Sequence, residues 1–501
     1  MELQFPSFIL ISSLLLFLFK VAKILQQSLA TKSTSQKLPP GPWRLPLIGN
    51  LHQLVASLPH HSLRDLTQKH GPLMHLKLGE VSTIVVSSQE IAKEVLKTHD
   101  LVFAQRPLLV SAKFTSYDYT NIGLAPYGSY WRQLRRICTV ELLSTKRVQS
   151  FRSIREEEVS NLIKTVRSNE GSVINLREKI FTMTFGITAR AAFGKKCKDQ
   201  EVFISVVKEF IKIMSGFSIS DLYPSIKLLQ EISGVRRKLK KLHLESDRIF
   251  GEILDEHKEK RTKTAQAEAE EDPIDVFMNL QQNGDLEFPL TDNNIKAVIW
   301  DIFVAGSDTS STSVEWAMAE MLKNPRILKE AQAEVRRVFK GKENVNEAAI
   351  HELKFLKLVV KETLRLHPPA PLLLPRESRE SCEINGYAIP ENTRIIVNAW
   401  AIGRDPSYWS EAEALYPERF LNSSIDYRGK DFEYIPFGAG RRICPGITFA
   451  IPNIELPLAQ LLFHFDWKLP NGMKQDHLDM SEVFGLTIRR KNDLLLIPVP
   501  H

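Results

Sequence analysis

A mainly α-helical fold with a small β region is predicted, and three observations predict it. Long amphipathic stretches dominate the chain. One apolar run, Thr291 to Lys323, lies between a capping threonine and the stop Asn324-Pro325. Alternating apolar segments are confined to short pieces, the clearest being Leu73–Leu78 and Thr83–Val86. Over 501 residues, 43% hydrophobic and 25% charged side chains place the chain among globular rather than disordered proteins. The net charge of +7 is mild, and no Lys/Arg cluster alternates with aromatics, so nucleic-acid binding is excluded. That balance suits a basic patch for an acidic protein partner or an anionic membrane surface. Four widely spaced cysteines without a C-x-x-C pair exclude a disulfide scaffold and a cysteine zinc site. Cys138, Cys197 and Cys382 read as small buried hydrophobes.

The elements follow in order. Phe5 to Phe19 is almost wholly apolar and continues through Ile24-Leu25, so residues 1–25 are expected to form a single membrane anchor. A cleaved signal peptide wants a basic start, yet Glu2 is the only charge before the run, and Ser28-Leu29-Ala30 is a poor cleavage site. Lys20 and Lys23 at the end of the apolar span, with Lys32 and Lys37 after it, place the remainder in the cytosol. Residues 26–50 form a polar linker and a proline-rich hinge, stiff between Leu38 and Pro46. Residues 51–501 form one globular domain. Within it, Gly79-Glu80 turns the first hairpin. The charged run from Asp255 to Asp272 reads either as a surface linker or as a solvated helix end.

The run from Thr291 to Lys323 would make a helix about 50 Å long, enough to cross the whole domain. Yet Ala305-Gly306-Ser307-Asp308-Thr309-Ser310-Ser311-Thr312 lies at its centre. Glycine costs nearly 1 kcal/mol inside a helix, and Ser/Thr hydroxyls compete for backbone carbonyls. Local preference therefore opposes the helix where the core should be tightest, as happens at functional sites. Ala305 and Gly306 are small enough to leave room for a flat group. Thr309 can hold water or dioxygen, and Asp308 can relay protons from solvent. The plainer reading is a core helix kinked at Gly and Ser/Thr.

Near the C-terminus stands Pro436-Phe437-Gly438-Ala439-Gly440-Arg441-Arg442-Ile443-Cys444-Pro445-Gly446. Glycines let the backbone turn tightly and approach a flat partner. A lone cysteine between Arg441/Arg442 and a helix start sits in a positive field, which favours thiolate. Thiolate is one of the few protein ligands that holds haem iron axially. The rival is a dinucleotide loop, but Ile443 stands where its third glycine belongs, and no acidic residue follows at the usual distance.

At Phe437, Gly440, Arg442, Cys444 and Gly446 this loop resembles the haem-binding loop of the cytochrome P-450 superfamily. Ala305, Gly306, Asp308 and Thr309 resemble its oxygen-activation motif, and the likeness runs along essentially the whole chain. Segments 39–54, 305–321, 367–377 and 434–450 resemble the plant microsomal A-type branch that includes terpenoid and alkaloid hydroxylases. The resemblance implies a triangular prism with haem b between a long central helix and the Cys444 loop. It implies a Glu-x-x-Arg pair, Glu362 and Arg365, joined by Arg419 of Pro417-Glu418-Arg419-Phe420. Trp131, Arg135, Arg376 and Arg442 are implied at the haem propionates, with Phe437, Gly438, Gly440 and Gly446 shaping the loop. Pocket lining is implied for Phe114, Tyr117, Asp301, Ile302, Ala370, Leu374, Phe484, Gly485 and Leu486. Arg132 and Arg136 face a reductase, and His367 reads as a turn residue.

The implied activity is NADPH- and O2-dependent hydroxylation of a hydrophobic plant metabolite at the endoplasmic reticulum membrane. A terpenoid is the expected substrate, with an indole alkaloid or a phenolic as the alternative. NADPH-cytochrome reductase is the implied partner, with cytochrome b5 as an accessory donor. The rivals are a haem-thiolate isomerase or dehydratase, a non-catalytic haem sensor, and a membrane interaction protein without haem. Two departures stand out. Leu415 replaces a usual Phe, and Pro452 falls inside the helix after Cys444, where a proline costs about 3 kcal/mol if uncompensated.

Overall fold

The computed structural model describes residues 37–501 apart from 56, 197, 215–216, 264–271 and 285. The anchor expected over 1–25 and the residue Cys197 lie outside the described residues. Among those described, no helix is long and apolar enough to cross a membrane.

A single helix, Asp292–Lys323, forms the axis. Thr291 caps it by accepting from the Asn294 N–H, and the Asn294 side chain accepts from the Thr291 N–H in return. Helices Leu176–Phe193, Lys354–Leu366 and Ile447–His464 pack along it, and their apolar faces join its second half in one core. A second core gathers its first half with helices Gln200–Ile213 and Val235–Lys263. The expected conflict at its centre is resolved without a break. Thr309 Oγ1 donates to the Ala305 carbonyl at 2.6 Å and Ser313 Oγ to that of Thr309 at 2.9 Å, so the hydroxyls use carbonyls of their own helix.

The predicted hairpin pairs Leu73–Leu78 with Val81–Val86 in antiparallel register, with Gly79 at φ +60° in the turn. Val81–Val86 also pairs in parallel with Arg394–Val397, some three hundred residues later, and Arg376–Glu377 completes the four-stranded sheet. The proline-rich segment is fastened to this sheet. His75 N–H donates to the Pro40 carbonyl at 2.8 Å, and Asn50 ties Pro42 and Trp43 to Lys77. A Cβ on Gly41 would collide with the His75 carbonyl, so only glycine lets the two backbones meet. Of the two readings of the charged run, the helix end holds for its first part, because Val235–Lys263 continues through Asp255.

The helix Ile447–His464 stays continuous through Pro452 and Pro457. Neither proline has an N–H to donate one turn back, and both polar atoms of the buried Asn453 side chain lack a partner. Pro452→Ala is therefore expected to stabilise folding by about 2 kcal/mol, the restored bond outweighing the unfolded-chain entropy. A raised urea midpoint at unchanged slope would show it; an unchanged midpoint would mean that packing already compensates. Leu415 is buried in the main core, in keeping with a mild departure.

Candidate active site

The cysteine loop is held by its backbone. Gly438 and Gly440 take φ +70° and +69°, and a Cβ on Gly440 would collide with the Leu96 carbonyl. Cys444 N–H donates to the Phe437 carbonyl at 3.0 Å, and the Phe437 ring meets Tyr427 edge-on at 5.5 Å. Asp100 accepts from Arg441 N–H at 2.8 Å and from Arg376 Nη1 at 2.9 Å, while Arg376 Nη2 donates to the Ala439 carbonyl. From the other side, Arg135 on helix Ser129–Ile137 donates to the Ile443 carbonyl at 2.6 Å. A Cβ on Gly446 would lie 3.8 Å from Cys444 Sγ, in ordinary contact with it.

The positive field expected at Cys444 does not win. Burial pushes the thiol up, against the Gly446 N–H and the Arg135 guanidinium; the Arg441 side chain lies 3.8 Å from Asp100, and Arg442 donates to the Ala104 carbonyl. A metal ion bound there would supply the missing charge, since a coordinating thiol is deprotonated outright.

Four guanidiniums crowd beside this loop: Arg106, Arg135, Arg376 and Arg442. Among the described residues, Asp100 is the only carboxylate paired with any of them. Arg442 donates to the carbonyls of Ala104 and Ala125, stacks over the Trp131 ring at 4.1 Å, and keeps a buried Nη1 without a partner. Burial together with Arg376 and Arg135 pushes it down to about 9. Arg106 donates to the carbonyls of Gly123, Leu374 and Pro375 and lies well below the usual guanidinium range, through burial and the neighbouring Arg442 and Arg376. A buried cluster short of anions fits a flat group that carries two carboxylates, as haem does. The Trp131 indole N–H is occupied by the Ile122 carbonyl at 3.0 Å, so its part in the cluster is the ring beneath Arg442.

On the central helix, Ala305 is exposed in the middle of an otherwise buried stretch, and Thr309 beside it is half-buried. Gly306 serves a different purpose from the one expected. A Cβ there would lie 3.2 Å from Thr188 Oγ1 and 3.4 Å from the Phe449 ring, so it permits helix contact rather than clearing space. The contact with Phe449 also sets the helix centre against the helix that follows Cys444.

Asp308 faces the opposite side. Its carboxylate accepts from Thr487 Oγ1 and is raised by burial, against the pull of Thr487, Arg489, Arg177 and Lys208. It opens into a cavity of about 170 Å³ lined also by Ser311, Thr312 and Glu315. Glu315 is buried, its Oε1 has no partner, and burial pushes it up to about 7.

Glu362 and Arg365 form the expected pair at 2.7 and 2.8 Å, wholly buried, and Arg419 Nε donates to Glu362 at 2.9 Å. Arg365 spends its remaining donors on the carbonyls of Gly403, Ala412 and Ala414. His367 caps its helix and stacks on Trp316 at 3.9 Å, as a turn residue rather than a loop ligand.

The pocket residues divide. Phe114, Ile302 and Leu486 pack on one apolar cluster, whereas Phe484 packs on another beside Phe217. Gly485 lies against the Ile211 carbonyl, and Ala370 and Leu374 are half-buried. Asp301 is a correction. Its carboxylate accepts from Asn121 at 2.7 Å and Gly123 N–H at 2.8 Å, so it fastens the 121–123 loop, and burial pushes it up to about 6. Tyr117 donates to Asp247 at 2.9 Å, reaching the helix Val235–Lys263. Sequence reasoning missed Arg106, Thr487 and Glu315; the Asp308/Glu315 spacing of two helical turns was the one available signal.

The sequence matches the family model described as Cytochrome P450 over residues 39–497. It is 59% identical to Cytochrome P450 71D10 of Glycine max, over 98% of this chain and 96% of that protein. It is 57% identical to desmethyl-deoxy-podophyllotoxin synthase of Sinopodophyllum hexandrum, over 99% and 97%. Premnaspirodiene oxygenase of Hyoscyamus muticus is 52% identical, over 100% and 99%. A zebra fish cytochrome P450 solved with abiraterone shares the fold, with a TM-score of 0.75 over 88% of this chain and 99% of that one at 24% identity. With its mainly helical body and its anion-short arginine cluster beside a loop cysteine, the chain belongs to the cytochrome P450 family, in the plant A-type branch, as a monooxygenase that uses haem iron, O2 and NADPH-derived electrons delivered by a reductase.

Proposed function

We propose that this chain hydroxylates a terpenoid over a haem held by Cys444. The observation that carries the reading is the carboxylate-poor arginine cluster beside the Cys444 loop, with Phe449 of the helix that follows Cys444 set against Gly306 of the central helix. When bound, a haem would supply dioxygen activation, and Cys444 would hold it through its thiolate. Arg106, Arg135, Arg376 and Arg442 take its propionates, and Trp131 backs Arg442 with its ring. Phe437, Gly438, Gly440 and Gly446 shape the loop, and Ala305 leaves room above it. Asp308 gains protons from the polar cavity. Thr309 Oγ1, once its bond to the Ala305 carbonyl is released, would offer the hydroxyl that hands a proton on from the other side of the helix.

Thr309→Ala is expected to lower product formed per NADPH about tenfold while NADPH consumption falls less than about threefold; Asp308→Asn is expected to slow both by roughly 100-fold. Coupling of NADPH to product and peroxide, measured side by side, checks this. Unchanged coupling in Thr309→Ala would remove the relay from the reading.

The terpenoid class is supported by the likeness to premnaspirodiene oxygenase and by the apolar lining of Phe114, Ile302 and Leu486. The alternative on the same chemistry is an indole alkaloid or a phenolic, supported by the likeness to tabersonine 16-hydroxylase 2 and to desmethyl-deoxy-podophyllotoxin synthase. The same reading places residues 1–25 in the endoplasmic reticulum membrane, 26–50 as the connection and 51–501 as the cytosolic catalytic domain. NADPH-cytochrome reductase docks beside the cysteine loop, where the exposed Arg132, Arg379 and Arg441 surround Tyr127, and cytochrome b5 competes for that face. Membranes containing this chain and a plant reductase, offered terpenes, alkaloids and phenolics, should give an NADPH-dependent product heavier by one oxygen. A product formed equally without NADPH would favour the isomerase instead.

A further inference from the structure

Three imidazoles gather around one carboxylate where the first long helix meets the C-terminal strands. His60 and His61 lie in the first turn of helix Pro59–His70, and Glu482 begins the strand Glu482–Val483. His60 Nε2 is 2.9 Å from Glu482 Oε2, and His61 Nε2 is 3.1 Å from the same oxygen. His367 Nδ1 approaches the other oxygen at 3.7 Å.

Hydrogen bonding leaves this group unsatisfied. His61 Nε2 and His367 Nδ1 are buried nitrogens without a hydrogen-bond partner, although both face Glu482. His367 is only 9% exposed. Only His60 bonds the carboxylate in good geometry, and buried polar atoms are rarely left unpaired. The rings are also held in place. His61 stacks on Trp400 at 4.4 Å, His60 meets Trp400 edge-on at 4.9 Å, and Glu320 fixes His367 through Nε2 at 2.7 Å. Arg64 and Arg404 stack on Trp400 and share Glu413, so neither bonds to Glu482.

Imidazole nitrogens with a carboxylate oxygen are a donor set for zinc and its first-row neighbours. The donor atoms of His60, His61 and Glu482 all lie within 4.8 Å of one another. A tetrahedral zinc with bonds near 2.0–2.1 Å separates its donors by roughly 3.3 Å, a small adjustment from this arrangement. Glu320 behind His367 supplies the kind of outer carboxylate that orients imidazoles at metal sites.

We propose that His60, His61 and Glu482 bind one divalent zinc ion, with His367 turned toward it from the outer shell. The ion ties helix Pro59–His70 to the strand that leads directly into Phe484, Gly485 and Leu486. Phe484 already stacks near His60 at 6.3 Å. On the function proposed above, zinc is thus a clasp on one wall of the substrate pocket; the binding itself does not depend on that function.

The test uses the full-length haem-loaded protein without a polyhistidine tag, stripped with a chelator and titrated with zinc chloride against a chromophoric competitor. One equivalent should bind, at least tenfold tighter than to His61→Ala, and zinc should raise the melting midpoint of the parent only. Zinc-edge X-ray absorption should show N/O donors at about 2.0–2.1 Å with imidazole scattering. His61 is 32% exposed, so His61→Ala retains the fold, whereas Glu482→Gln is the sterner second variant. Zinc bound equally by His61→Ala, or no zinc bound, overturns the proposal and leaves a hydrogen-bonded cluster only.

Discussion

Replacing Cys444 by Ser is expected to abolish product formation, by more than about a thousandfold, while the body of the protein stays folded. The substitution changes almost no volume, and the loop does not rely on the sulfur for its shape. Its geometry comes from the Phe437 carbonyl, Asp100, the Arg135 bond to Ile443 and the two left-handed glycines. The hydroxyl cannot replace the thiolate as an electron-donating ligand. Haem held by the arginine cluster alone should be retained weakly. The ferrous-CO spectrum should lose its thiolate character, and circular dichroism should melt within about 1 kcal/mol of the parent. A retained thiolate spectrum would move the axial ligand elsewhere.

Glu362→Ala is expected to cost about 3–5 kcal/mol, a large share of the 5–15 kcal/mol by which a native protein is stable. Glu362 and Arg365 have 0% side-chain exposure, and Arg419 only 6%. Without the carboxylate, two buried guanidinium charges lose the anion that both donate to, and the Tyr416 N–H loses its acceptor. The protein should fail to accumulate with haem, and any recovered fraction should unfold at much lower urea. Glu362→Gln keeps one acceptor oxygen and should fall between the two. Arg365→Lys should resemble Glu362→Ala, because an ammonium cannot reach the carbonyls of Gly403, Ala412 and Ala414 together with Glu362. Parent-like unfolding of Glu362→Ala would mean that water replaces the carboxylate and that the triad does not brace the core.

By itself the sequence determined whatever depends on neighbours within a few positions. The Thr291 cap, the Gly79 turn, the Glu362/Arg365 spacing and the glycine-held cysteine loop are local consequences of backbone preference and periodicity. Only the tertiary structure decided what depends on burial and on partners far along the chain. It placed Val81–Val86 parallel to Arg394–Val397 and assigned Gly306 to helix contact with Thr188. It tied Asp301 to a loop, brought Thr487 to Asp308, and added Arg106 to the arginine cluster. It also reversed the expected balance at Cys444, where desolvation outweighs the field of Arg135. Charge and burial act through space, so their balance is absent from any local pattern of residues.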